Sequence, residues 1–112
     1  DEWVLTTSAE DGPILEAAFA ALAVPHSLTD IGAREIAIRL DGDGAADCLA
    51  MGCPFDLATL KDGAGKRTVF DGVQIVLRRD APSTFHVDVW RSYAPHVIAL
   101  FARFNEERAA GL

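Results

Sequence analysis

Asp71-Gly72 stands between two β-prone runs, Lys66–Phe70 and Val73–Arg79, and no other feature constrains the chain as much. Asp-Gly favours a two-residue type I′ hairpin turn, because both central residues take positive φ and glycine does so without a side-chain clash. The turn pairs Phe70 with Val73 and Thr68 with Ile75, with both pairs on one face. A chain containing such a hairpin builds an antiparallel sheet. The next run alternates Phe85, Val87 and Val89 against His86, Asp88 and Trp90. For Leu77 to share the apolar face with Val87, Arg79 must pair with Phe85, which leaves Asp80–Thr84 as a five-residue loop around Pro82.

The rest of the chain supplies the layer that covers this sheet. Arg34–Leu40 alternates Ile36, Ile38 and Leu40 against Glu35, Ala37 and Arg39, a strand with one packed face. Asp41-Gly42-Asp43-Gly44 breaks the period, and Asp43 is placed to cap a short helix. Ala45, Cys48, Leu49 and Gly52 give that helix a small-residue stripe for close packing, and Pro54 stops it. A last helix, capped by Ser92, carries Val97, Leu100, Phe101 and Phe104 on one stripe, with a polar tail over Asn105–Arg108. Toward the start, Trp3–Thr7 is a β-prone run. A helix then opens near Pro13, shows Leu15, Ala18, Phe19 and Leu22, and closes at about Val24 before Pro25. The order β-α-β-α-β-β-β-α predicts an α+β two-layer sandwich, a mostly antiparallel sheet with helices on one face.

At 112 residues, the chain has the length of one domain spanning 1–112. Its 10 Lys and Arg against 17 Asp and Glu give a net charge of −7, which argues against nucleic acid or an anionic membrane as a general partner. No apolar run reaches the roughly 20 residues of a membrane span. Cys48 and Cys53 form neither a CxxC pair nor a disulfide framework, which points to a reducing, cytoplasmic setting. The sequence begins at Asp1 without a methionine, as expected of a portion of something longer.

Candidate chemistry is sparse. Cys53, between Gly52 and Pro54, could sit exposed at a turn, but no sequence neighbour supplies a base or cation to stabilise a thiolate. His26, His86 and His96 match no compact metal spacing. Gly42/Gly44 and Gly63/Gly65 lack the phosphate-binding patterns and read as turns. No catalytic residue, cofactor site or metal site is therefore assigned. The contact candidates are Trp3, Arg78, Trp90, Arg91, Ser92 and Tyr93. Trp90 faces away from Val89, beside Arg78 and Val76, and needs another layer over it. Arg91 and Ser92, at a helix start, suit an anionic ligand or a partner's carboxylate.

Several stretches together resemble a known family. Asp1-Glu2-Trp3 before Val4-Leu5, Gly42 and Ala45 before the short helix, Gly52-Cys53-Pro54-Phe55-Asp56-Leu57, Gly65…Thr68, Phe85…Val89 and Arg91-Ser92-Tyr93-Ala94 look like the gamma subunit of heterotetrameric sarcosine oxidase. The likeness spans nearly the whole chain and extends to the folate-binding domains of glycine-cleavage aminomethyltransferases. It implies a non-catalytic accessory or structural subunit of a complex that oxidatively demethylates sarcosine, passes the one-carbon unit to tetrahydrofolate and makes hydrogen peroxide. It places flavins, NAD and tetrahydrofolate in larger alpha and beta partner subunits. It also implies an arm before Asp1, without which an open sheet edge could self-associate. The alternative is a small domain that binds folate or another one-carbon ligand in its own pocket, which would need a concave apolar cleft.

Overall fold

A computed structural model describes residues 2–112. The chain divides into two compact units, Asp1–Asp30 and Ile31–Leu112. Asp1, the first residue of the Asp-Glu-Trp stretch, lies outside the described residues.

The first unit contains one helix, α1 (Gly12–Ala20). Its start is held by Ser8, whose hydroxyl oxygen accepts from the Asp11 amide at 3.1 Å, and Pro13 sits in the first turn, as the sequence suggests. Two expectations fail here. Residues 3–7 form no strand, since a strand needs a ladder and no strand occurs among the described residues of this unit. The helix also stops at Ala20, four residues before the predicted end at Val24. No residue of α1 is buried, and Leu22 and Val24 are exposed, so nothing rewards further turns of so short a helix.

The second unit is a four-stranded antiparallel sheet with two helices packed on one face. Its strands are β1 (Glu35–Asp41), β2 (Gly65–Phe70), β3 (Val73–Ala81) and β4 (Thr84–Trp90), in the order β1-β4-β3-β2. The helices are α2 (Ala45–Ala50) and α3 (Ala94–Ala109), with a 3-10 turn at Leu57–Thr59. The α+β sandwich expected from the sequence is the fold observed, with four strands in place of five. Ile75, Leu77, Phe85, Val87 and Val89 form the floor of the core. Ala45, Cys48 and Leu49 of α2 and Ala94, Val97 and Phe101 of α3 cover it, while Ile36, Ile38 and Leu40 of β1 extend it at the edge. Phe101 meets Phe70 at 4.8 Å between ring centroids.

The Asp71-Gly72 turn forms as expected, with φ of +48° and +77° and with Phe70 opposite Val73 and Thr68 opposite Ile75. Gly72→Val is expected to lower stability by about 1–3 kcal/mol, because a β-branched side chain is strained at this φ although the space around it is open. Urea denaturation checks this, and an unchanged midpoint and slope would count against it.

In the second hairpin the predicted register holds, with Arg79 opposite Phe85 and Leu77 opposite Val87. The five-residue loop does not. A bulge between Arg79 and Ala81 admits one extra residue, Ala81 then pairs with Thr84, and only Pro82 and Ser83 remain to turn. Both predicted caps also fail. The residues at the cap positions are Gly44 for α2 and Tyr93 for α3, and neither makes a side-chain cap bond. Asn105–Arg108 is not a tail, because it forms the last turns of α3.

Candidate partner-binding face

The alternation that buries Val89 turns Trp90 to the opposite face of the sheet, where it is 45% exposed. The backbone then turns, with the Tyr93 amide donating to the Trp90 carbonyl at 2.9 Å, and brings the half-exposed Tyr93 ring within 6.5 Å of the Trp90 ring. The Arg34 guanidinium lies 5.4 Å from the Trp90 ring, close enough for a cation–π contact. Beside them runs a shallow groove of about 260 Å³ lined by Gly72, Val73, Gln74, Trp90 and Tyr93.

The sequence alone does not single out Arg34 or Gln74, yet it carries the signal for Gln74. Once Ile75 sits opposite Val89, Gln74 runs alongside Trp90. The same register corrects the expected neighbour Arg78. It lies opposite His86, too far along the strand to touch Trp90, and its Nε is 3.3 Å from Asp80 Oδ1. Asp80 Oδ2 is 2.5 Å from His86 Nδ1, an ion-pair distance without the alignment of a hydrogen bond. Arg91 is partly committed within the fold: its Nε donates to the Ala33 carbonyl at 3.0 Å and its amide to the Arg34 carbonyl at 2.8 Å. Those bonds tie it to the approach to β1. Ser92 is exposed in the turn before α3, and Trp3 is exposed in the first unit.

Asp88 stands between His86 and Trp90 on this face, with Ala37 and Val76 opposite it on the flanking strands. Its carboxylate makes no direct hydrogen bond or ion pair among the described residues. Burial is the main force raising its pKa, and the charges of Glu35 and Asp80 add to that, against the lowering pull of Arg78 and His86. A carboxyl raised above its unfolded value loses stability as pH climbs from the unfolded to the folded pKa, so ionised Asp88 destabilises the isolated chain near neutrality.

The remaining candidates have local explanations. Cys53 is buried, not exposed at a turn, with its Sγ 3.9 Å from Thr68 Oγ1. Burial pushes the Cys48 thiol up to about 11, far from a reactive thiolate. His26 Nδ1 donates to the Val24 carbonyl at 2.6 Å, and His96 Nε2 lies 2.7 Å from Asp71 Oδ2. Among the described residues no three His, Cys, Asp or Glu side chains gather as a metal site, and no helix is long and apolar enough to cross a membrane. A second shallow cleft of about 250 Å³ lies between α3 and the Asp71-Gly72 hairpin, lined by Phe70, Leu100, Phe104 and the Arg103–Glu107 pair. Both clefts fall below the roughly 300–1,000 Å³ usual for small-molecule sites.

No protein-family model and no curated protein sequence matches the chain. A solved structure does: heterotetrameric sarcosine oxidase from Corynebacterium sp. U-96, in complex with pyrrole 2-carboxylate. The TM-score is 0.75 at 23% sequence identity over 85% of this chain, which spans 51% of the matched one. At that identity the likeness establishes a shared fold. The chain thus folds like part of a sarcosine oxidase chain, in keeping with the resemblance read from its sequence.

Proposed function

We propose that this chain is a non-catalytic accessory subunit of a sarcosine oxidase-like complex, docked on larger subunits through its open sheet face. The fold shared with a chain of a heterotetrameric sarcosine oxidase carries the reading. The exposed Trp90–Tyr93 pair supports it, because an exposed aromatic pair makes an effective contact anchor. In this reading the alpha and beta subunits hold the flavins, NAD and tetrahydrofolate and carry out the demethylation. This chain contributes surface to their assembly. A domain with its own folate pocket has less support, since the clefts beside Trp90 and α3 are shallow and small.

The test is affinity purification of the full-length protein from its native cells at low salt, with mass spectrometry of what accompanies it. Two larger flavoenzyme subunits are expected. Trp90→Ala should leave stability within about 1 kcal/mol, as for a surface change. It should weaken association with those subunits at least about tenfold, the lower range for an anchor. A chain recovered alone, or recovered yellow with stoichiometric flavin of its own, overturns the proposal.

A further inference from the structure

On the open face of the sheet, Asp88 makes no direct hydrogen bond or ion pair among the described residues. It lies at the centre of that face, half-buried, between the His86–Asp80 pair on one side and Trp90 on the other. Three arginines near this face lie beside other carboxylates: Arg78 is 3.3 Å from Asp80, Arg34 is 3.4 Å from Glu35, and Arg39 is 3.3 Å from Asp41. The charges of Glu35 and Asp80 repel Asp88, while those of Arg78 and His86 attract it. The two helices of this unit cover the other face, so no charge from them is interposed.

We propose that the occupant of this face is a larger partner subunit presenting one arginine or lysine, which seats on Asp88 while Trp90 and Tyr93 anchor the groove beside it. This rests on the accessory-subunit reading and names the chemistry of its contact. Complementarity of charge selects the occupant. A half-buried carboxylate without a cation is costly, and a cation brought by a partner removes that cost only in the complex. A second copy of this chain is a poor occupant, because its net charge is −7 and its matching face brings another Asp88.

The experiment titrates the full-length chain, Asp88→Asn and Trp90→Ala against the co-purified larger subunits at low and high salt, beside chemical denaturation of each form. Asp88→Asn should weaken association about tenfold or more and flatten its salt dependence, with folding stability unchanged or raised. Trp90→Ala should weaken association with the salt dependence intact. Undiminished affinity of Asp88→Asn beside a weakened Trp90→Ala overturns the cation contact and leaves the accessory reading standing. An unaltered salt dependence, or unfolding of Asp88→Asn, also overturns it. Full affinity in both variants removes this face from the interface, and failure of the unmodified chain to bind those subunits overturns the accessory reading as well.

Discussion

Phe85→Ala should lower the stability of this chain by about 3–5 kcal/mol, through the lost burial of the ring and the cavity that remains. Phe85 is fully buried on β4, an interior strand, between Leu40 on β1 and Arg79 on β3. Its neighbours are held by two ladders, so the site collapses poorly around an alanine. Against a typical total of about 5–15 kcal/mol, the loss is large enough to populate unfolded chain at room temperature. Urea denaturation with an unchanged slope gives the value. A loss under about 1 kcal/mol would show that β4 is not the floor of the core.

The second large effect is expected at Arg79, across the ladder from Phe85. Arg79→Met should cost about 2–3 kcal/mol, because the guanidinium serves several acceptors that would be left poorly satisfied. Its Nη1 donates to the Leu60 carbonyl at 2.8 Å and its Nη2 to the Pro82 carbonyl at 2.9 Å, while Nε lies 3.2 Å from Asp62 Oδ1. The guanidinium also lies 5.4 Å from the Phe85 ring. The backbone of the same residue pins the preceding loop, accepting from Gly63 at 2.7 Å and donating to Ala64 at 3.0 Å. One side chain thus fastens the 3-10 turn, the 61–64 loop and the second hairpin together. Arg79→Lys should recover less than half of the loss, since a single ammonium cannot present a planar fork to separated carbonyls. The double variant with Phe85→Ala should cost less than the two losses added, because the side chains are in contact. Full additivity would mean that the ring contact contributes nothing.

The two sides of the sheet are packed to different degrees. The helix-covered side buries the floor residues almost completely, whereas Val69 and Trp90 on the other are exposed, as is Tyr93 in the turn after β4.

Local signals determined much of this architecture. A dipeptide that needs two positive φ angles fixed the first hairpin, and two-residue alternation fixed which side of each strand is buried, because both are properties of the backbone within a few residues. Trp90 was legible as an outward residue for the same reason. Tertiary structure decided the rest. The strand order β1-β4-β3-β2 places the two ends of the sheet 24 residues apart in the chain, from Asp41 to Gly65, and no local preference encodes that separation. Residues 3–7 have strand propensity but no ladder, and Leu22 continues a helical stripe yet is exposed. The bulge beside Asp80 shortened a loop that the Arg79–Phe85 register alone left at five residues. Arg79 read as a charged strand end, and only the folded chain brings the carbonyls of Leu60 and Pro82 to it. Hydrogen bonds between distant segments depend on where those segments are packed, so their partners emerge with the tertiary fold.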